Sequence, residues 1–353
     1  MKLLVINPGS TSTKVSFFED EIELWCETQR YDSETMKKFQ HLMDQEVFRY
    51  EEIGKTLRAR GINIEDIDVF VARGGLLRPI ESGTYGISPA MIEELKNCKW
   101  GEHASNLGAP IAMRFAQHNG KPAYVVDPVV VDELAEVARL SGMPELPRKS
   151  IFHALNQKAV ARLAAAKRGG RVEDYNFIVC HMGGGVSVGA HKKGRVVDVN
   201  DALGGEGPMS PERAGSVSAL QLVEFCFSGE YSLPEIKKML VGNGGFVAYV
   251  GTNDCMELED RARSGDKRAK LVLDSFCYQI GKSIGACAVA LEGRVDSILL
   301  TGGLAHSEGL CTRVAEKISW IAPVEMYPGE DEMSALALGV LRVMKGQEAA
   351  KQY

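Results

Sequence analysis

The sequence predicts an α/β protein built from two duplicated domains, and three observations support this fold class. The chain has 353 residues, which is more than a single hydrophobic core usually organises. Strand-like and helix-like stretches alternate along it, as in α/β proteins. A strand, a glycine-rich turn and a second strand also occur twice, far apart in the chain, which indicates a duplication.

The first copy of this pattern is residues 3–18, LLVINPGSTSTKVSFF. Two apolar runs, 3–6 and 15–18, flank a turn that contains Gly9 and the hydroxyl residues Ser10, Thr11, Ser12 and Thr13. An ordinary polar hairpin uses the same residue types. The alternative is an anion cradle, in which backbone N–H groups near Gly9 and these hydroxyls surround a phosphate.

Further elements follow in order. A charged, helix-like region extends over 32–60 and ends before Gly61. The apolar run 67–72 predicts a buried strand that leads into Arg73, and 123–126 predicts another that leads into Asp127. A helix is predicted over 151–167, since the glycine pair 169–170 is a normal C-terminal stop.

The second copy of the pattern is residues 177–199, in which His181 replaces Asn7 and Gly183 replaces Gly9. Gly184 and Gly185 complete its turn, and two such turns on either side of a cleft could hold a polyphosphate. A third glycine turn, Gly302-Gly303, follows the strand-like run 297–301. Neither a Walker motif nor G-x-G-x-x-G is complete, which argues against a P-loop or a dinucleotide site.

Composition narrows the class of protein further. Hydrophobic residues make up 45% and charged residues 25%, as in an ordinary globular protein, and the net charge of −6 argues against nucleic-acid binding. The sequence shows neither a signal-peptide pattern nor an apolar run long enough to span a membrane. The eight cysteines form no C-x-x-C pair, which favours reduced thiols and a cytoplasmic location.

Several long segments together resemble the acetate and butyrate kinase family, and specifically its butyrate kinase branch. They include INPGSTSTK, ARGGLLRPIESGTY, KSIFHALNQKAVAR, HMGGGVSVGAHKKGRVVDVNDALGGEGPMSPERAG and YPGEDEMSALA. The resemblance implies two duplicated actin-like (ribonuclease H-like) domains with an ATP cleft between them. We expect the first domain to span 1–152 and 330–353, and the second to span 153–329. Family analogy also implies a homo-oligomer, a dimer or higher.

The activity that the resemblance implies is transfer of the γ-phosphoryl group of ATP to a short-chain carboxylate, with Mg²⁺ as the metal and ADP as a product. Butyrate is the expected acceptor, and isobutyrate, propionate and acetate are the alternatives. A more distant alternative is a nucleotide switch of the actin or Hsp70 kind, which binds ATP without phosphorylating a small molecule.

The resemblance also implies roles for individual residues. Arg213 would lie near the transferring phosphoryl group, and His181 would donate a hydrogen bond to it. Arg73 or its competitor Arg78 would hold the substrate carboxylate, with His103 beside the acyl pocket. The expected nucleotide-binding residues are those of the three turns: Asn7, Gly9, Ser10, Thr11, Ser12, Gly183, Gly184, Gly185, Gly302 and Gly303.

Carboxylates are the expected metal ligands, because Mg²⁺ is a hard ion that prefers oxygen. Asp127 matches the family's catalytic aspartate, and Asn7 would act on the metal or the phosphate. Glu332 best fits the family's C-terminal metal-associated glutamate, and Glu330 and Asp331 are adjacent alternatives.

Overall fold

The structure, a computed structural model, describes all 353 residues and divides into two compact units. The first unit contains Met1–Val131 and Asp331–Tyr353, and the second contains Asp132–Glu330. The first division therefore falls after Val131 rather than after residue 152. Residues beyond 131 join the second unit because they bond to its own elements: Ala135 N–H donates to the carbonyl of Val197, and Arg148 pairs with Asp198 at 2.8 Å.

The first unit is built around a six-stranded sheet in the order β3-β2-β1-β4-β6-β5. The strands β1, β2 and β3 form an antiparallel meander, β1, β4 and β6 run parallel, and β5 pairs antiparallel with β6. The strands are β1 Lys2–Pro8, β2 Ser12–Glu19, β3 Ile22–Arg30, β4 Val69–Arg73, β5 Thr84–Gly86 and β6 Ala123–Val126.

Helices cover this sheet because its central parallel strands are largely apolar: Leu3, Leu4, Val5 and Ile6 of β1 are all fully buried. The C-terminal helix, Glu332–Met344, packs against β1, β4 and β6. The predicted helix-like region 32–60 contains two α-helices and a short 3-10 turn, Leu42–Asp44, directly before the second helix. The other helices of this unit are α1 Ser33–Met36, α2 Gln45–Ala59, α3 Pro89–Lys96 and α4 Gly108–Asn119.

The second unit repeats this topology in a five-stranded sheet with the order β11-β10-β7-β8-β9. The strands β7, β8 and β9 form an antiparallel meander, and β7, β10 and β11 are parallel, as β1, β4 and β6 are in the first unit. The predicted duplication is thus confirmed. The strands are β7 Asn176–Met182, β8 Val186–Lys192, β9 Arg195–Val199, β10 Ser297–Gly302 and β11 Val324–Pro328.

Alternate residues of β7 enter two different cores, because side chains alternate between the two faces of a strand. Ile178 and Cys180 join a core formed with the long helix Lys267–Ala290, and Phe177 and Val179 join one formed with Ala154–Lys167. The helices of this unit are α5 Glu136–Arg139, α6 Ala154–Lys167, α7 Ala219–Cys226, α8 Leu233–Leu240, α9 Gly245–Val250, α10 Cys255–Arg263, α11 Lys267–Ala290 and α12 Glu308–Ile318. No helix is both long enough and apolar enough to cross a membrane.

Candidate active site

The first glycine-rich turn connects β1 to β2 and is closed by a hydrogen bond of 2.8 Å from Gly9 N–H to the carbonyl of Ser12. Ser10 and Thr11 at its tip are exposed. Asn7 occupies the end of the buried strand β1 and is only 8% exposed. The turn therefore presents polar groups at the end of a rigid, buried strand.

Arg49 of α2 lies fully buried beneath this turn. Its guanidinium donates to the carbonyls of Gly9 at 2.8 Å, Ser12 at 2.7 Å and Ser10 at 2.9 Å. Carbonyl oxygens repel an anion, so their engagement by a cation favours phosphate binding at the turn. Burial lowers the pKa of Arg49, and the side chain contacts only neutral oxygens and the ring of Tyr31, 5.1 Å away.

Sequence reasoning did not identify Arg49 as part of the site. The sequence nevertheless contains a pattern that indicates burial of Arg49. Arg49, Ile53 and Leu57 follow one another at intervals of four residues, so they lie on one face of the helix, and both apolar residues are fully buried. A single arginine on the apolar stripe of a helix needs several buried oxygens as partners. The hairpin carbonyls provide these partners.

Three residues that are distant in sequence meet at the start of the C-terminal helix. Asn7 Nδ2 donates to Glu332 Oε2 at 2.6 Å, and Arg73 Nη1 lies 3.0 Å from Glu332 Oε1. The side chain of Glu332 is 18% exposed and that of Arg73 is 25% exposed. The structure therefore brings together one predicted metal ligand, one predicted substrate residue and one predicted nucleotide residue.

The three acidic candidates before and within this helix have different surroundings. Asp331 caps the helix, since its carboxylate accepts the N–H of Ser334 at 3.1 Å. Glu330 belongs to the second unit, where its Oε1 lies 3.0 Å from His181 Nε2. Glu332 belongs to the first unit, where it accepts from Asn7 and pairs with Arg73.

Asp127 directly follows β6 and is 1% exposed. Its Oδ1 accepts hydrogen bonds from Ser82 Oγ at 2.6 Å and Gly83 N–H at 2.8 Å. Its φ of 38° is a left-handed conformation that costs a non-glycine residue energy. Backbone strain of this kind persists only where the surrounding structure holds the residue in place, and it is common at functional sites.

Arg78 and His103, the two other predicted substrate residues, are more exposed than Arg73 and contact different residues. Arg78 is exposed and packs over the ring of Tyr353, with 4.2 Å from its Cζ atom to the ring centre. His103 is exposed and caps the short turn Ala104–Leu107, where its Nδ1 contacts Ser105 Oγ at 2.8 Å. Of the two arginines proposed for the substrate, Arg73 has the partners expected of a site residue.

The second glycine-rich turn follows β7 and is closed by a bond of 2.9 Å from Gly183 N–H to the carbonyl of Gly185. His181 at the end of β7 is 1% exposed, and its Nδ1 lies 2.8 Å from Asn156 Oδ1. Although Glu330 Oε1 is 3.0 Å from His181 Nε2, the two are not aligned for a hydrogen bond. The His181 ring is therefore held by a hydrogen bond at Nδ1, and its Nε2 lacks a hydrogen-bond partner.

Arg213 lies against the same turn. A side chain at Gly185 would place its Cβ only 2.8 Å from the Cζ atom of Arg213, so a larger residue here would displace the guanidinium. Nη1 of Arg213 donates to the carbonyl of Ala202, and Ser210 Oγ donates to the carbonyl of Gly184 at 2.6 Å. Burial lowers the pKa of Arg213, partly offset by Glu212 and Asp201. The guanidinium remains a cation because its ordinary pKa is so high.

The third turn begins at Gly302, whose φ of 90° also favours glycine. Gly302 and Gly329 exchange two backbone hydrogen bonds, of 3.2 and 3.0 Å, at the ends of β10 and β11. Gly303 follows and opens a short helical turn. Around none of these turns do three or more His, Cys, Asp or Glu side chains form a cluster that could hold a metal ion.

The two sheets share one topology, and each has a glycine-rich turn with an arginine beside it, Arg49 in the first unit and Arg213 in the second. These features are those of a protein with the actin-like ATPase fold. A family model described as the acetokinase family matches residues 144–321. Butyrate kinase 2 of Clostridium acetobutylicum is 53% identical over 352 residues, covering 100% of this chain and 99% of that protein. The chain belongs to the acetokinase family.

Solved structures agree on the fold. An acetate kinase from Porphyromonas gingivalis matches with a TM-score of 0.79 and 21% identity, covering 97% of this chain and 99% of that one. A propionate kinase from Francisella tularensis matches with a TM-score of 0.75 and 18% identity, covering 96% and 98%. At these identities the likeness concerns the fold alone, and it confirms the predicted fold class.

Proposed function

We propose that this protein is a butyrate kinase, which transfers the γ-phosphoryl group of ATP to butyrate and yields butanoyl phosphate and ADP. The observation that carries the proposal is the identity of 53% to a butyrate kinase over essentially the full length of both chains. The reaction is reversible in principle, because an acyl phosphate can return its phosphoryl group to ADP.

The chemistry requires neutralisation of charge more than proton transfer. A carboxylic acid with a pKa of about 4–5 is ionised at neutral pH, so the acceptor needs no general base. The obstacle is repulsion between two anions and the charge that spreads over the transferring group. Cations and polar donors in fixed positions lower this barrier.

The first unit supplies the turn residues Gly9, Ser10, Thr11 and Ser12 for phosphate, above the buried cation Arg49. We assign the substrate carboxylate to Arg73. Arg73 pairs with the carboxylate of Glu332, 3.0 Å away. The same guanidinium can bind the carboxylate of a substrate, because its fork of N–H donors matches the two oxygens of a carboxylate. Arg78 is the weaker candidate because it is exposed and packs against Tyr353.

The second unit supplies Gly183, Gly184 and Gly185 for phosphate, with Arg213 and His181 against the same turn. We assign Arg213 to charge on the transferring phosphoryl group and His181 to hydrogen bonding of that group. The nitrogen Nε2 of His181 is buried and lacks a hydrogen-bond partner. Because Nδ1 gives its hydrogen to the amide oxygen of Asn156, Nε2 would donate to the phosphoryl group from the doubly protonated ring. Gly302 and Gly303 would carry the adenosine end of the nucleotide.

Magnesium is part of the proposal. Asn7, Glu332 and Asp127 offer the hard oxygen atoms that Mg²⁺ prefers, and Mg²⁺ commonly takes one or two carboxylates, with phosphate and water as its other ligands. The ion would neutralise phosphate charge. The contact of 2.6 Å between Asn7 and Glu332 means that these two side chains can reach the same ligand. A cytoplasmic location and a homo-oligomeric state also remain predictions.

The test is trapping of the acyl phosphate with hydroxylamine, using Mg-ATP and straight and branched acids from C2 to C6. A preference for butyrate supports the proposal. A preference for isobutyrate, propionate or acetate would keep the class of reaction and replace the substrate. Tight ATP binding without product from any acid would contradict the kinase and favour a nucleotide switch.

A further inference from the structure

A row of buried polar side chains extends from β8 to the ring of His153. Its members are Ser187, Gln157 and His191, each with no exposed surface. His191 Nε2 lies 3.0 Å from Gln157 Oε1, and Ser187 Oγ lies 2.8 Å from His153 Nδ1. All four residues belong to the second unit.

The amide of Gln157 can adopt only one orientation in this row. Its Nε2 lies 3.1 Å from the carbonyl of Ser187 and 2.8 Å from Ser187 Oγ. A carbonyl only accepts hydrogen bonds, so the group facing it must be the NH₂ and not the amide oxygen. Gln157 Oε1 therefore faces His191 and needs a donor there.

This orientation fixes the proton of Ser187. The Oγ atom already accepts from Gln157, and its own hydrogen needs an acceptor because the side chain is fully buried. The remaining neighbour is His153 Nδ1 at 2.8 Å. Ser187 therefore donates to Nδ1, and a neutral His153 ring carries its hydrogen on Nε2.

His191 closes the far end of the row. Its Nε2–H donates to Gln157 Oε1, and its Nδ1 has no hydrogen-bond partner. Burial, aided by the cations Lys158 and Arg162, lowers the pKa of His191 well below its ordinary value. The ring is therefore neutral at physiological pH, and its single hydrogen is on the nitrogen that faces Gln157.

We propose that Ser187, Gln157 and His191 form a relay of fixed hydrogen bonds that holds His153 as the neutral tautomer with its hydrogen on Nε2. They are positioning residues, since they act through His153 and not on a ligand. This inference rests on the proposed phosphoryl transfer, because it concerns the histidine pair beside the second glycine-rich turn.

The relay matters because His153 stacks on His181. The two ring centres are 3.8 Å apart and the planes differ by 12°. Two positive rings at this separation would repel, whereas a neutral ring can lie against either form of its neighbour. The two rings also have different partners at Nδ1. Nδ1 of His153 accepts from the Ser187 hydroxyl, whereas Nδ1 of His181 faces the amide oxygen of Asn156.

The first experiment uses the unmodified protein labelled with ¹⁵N-histidine. Long-range ¹H–¹⁵N spectra distinguish the two neutral tautomers, and His153→Gln identifies the signals of His153 by their loss. We expect a single Nε2–H signature for both His153 and His191 at pH 8. A hydrogen on Nδ1 of either ring would overturn the proposal, and no activity is needed for this result.

The second experiment compares Ser187→Ala with the control Ser297→Ala. Ser297 is a fully buried serine of the same sheet that bonds to Glu325 at 2.5 Å and lies outside the site. We expect Ser187→Ala to give a mixture of His153 tautomers and a kcat lowered about 10-fold or more, with KM values within about 2-fold. Ser297→Ala should change neither the signature nor kcat.

An unchanged tautomer or an unchanged kcat in Ser187→Ala would overturn the relay. An equal loss of kcat in both variants would also do so, since it would reflect lost stability alone. If the unmodified protein phosphorylates no carboxylate, the proposed function fails instead, and the spectra of the native protein still decide the relay.

Discussion

Replacement of Arg49 by methionine tests whether the buried cation holds the first glycine-rich turn. Methionine keeps a long unbranched side chain and removes the guanidinium. The carbonyls of Gly9, Ser10 and Ser12 then lose their charged donor, at contacts of 2.8, 2.9 and 2.7 Å. A hydrogen bond to a charged group contributes about 1.5–3 kcal/mol to stability.

The net loss is smaller than the sum of these contributions, for two reasons. Ser10 is exposed, so water can replace the arginine at that carbonyl. Burying a guanidinium also costs several kcal/mol, and the variant no longer bears this cost. We therefore expect Arg49→Met to lower the free energy of unfolding by about 2–4 kcal/mol and to weaken ATP binding.

The assay is urea unfolding followed by tryptophan fluorescence and circular dichroism, combined with a nucleotide titration. Arg313→Met is the matched control, because Arg313 pairs with Asp274 at 3.2 Å and both side chains are exposed, at 40% and 41%. A pair of this kind contributes less than about 1 kcal/mol. A loss below about 1 kcal/mol in Arg49→Met, or unchanged ATP affinity, would refute the reasoning.

Three further predictions concern other parts of the molecule. Arg213→Ala should lower kcat at least about 100-fold while the fold is retained, and near-normal turnover would contradict the proposed role. Gly339→Ala should destabilise by about 1–3 kcal/mol in urea unfolding, because the new Cβ would lie 2.5 Å from Val126 Cγ1. Gly285→Ala is the control, because Gly285 lies within a helix and a Cβ added there would meet no other atom. This variant should stabilise the protein by about 0.5–1 kcal/mol. Equal effects of the two glycine variants would refute the packing argument. In native protein at pH 8 a thiol reagent should modify the exposed Cys26 quickly. Five other thiols should react only after unfolding, because burial shields them and raises their pKa: Cys180, Cys255, Cys277, Cys287 and Cys311. Rapid labelling of these five in the native protein would contradict the prediction.

The sequence was sufficient for the fold class and the duplication because both depend on local patterns. Apolar runs of strand length ended in Asn7 and His181, and glycine followed each at the same spacing. The structure places both residues at the end of the first strand of a meander. Family resemblance then supplied the reaction class, which periodicity alone could not have given.

Other features depend on contacts that no local pattern encodes. The pairing of Asn7 with Glu332 joins residues separated by most of the chain, so spacing could not reveal it. The sequence predicts the first domain boundary after residue 152, close to the start of the helix predicted over 151–167. The contacts of Ala135 and Arg148 place this segment in the second unit instead.

The position of the C-terminal helix has a consequence for how the chain is made. The second unit is continuous in sequence, so it is complete on the ribosome once Glu330 has emerged. The first unit must wait for Glu332–Met344, about 200 residues after Val131, before its strands β1, β4 and β6 are covered. At roughly 5–20 residues per second this delay is on the order of 10–40 s. During that time an apolar sheet face made early in synthesis lacks its last helix, so it is open to chaperones and to non-native contacts while the second unit is still being synthesised.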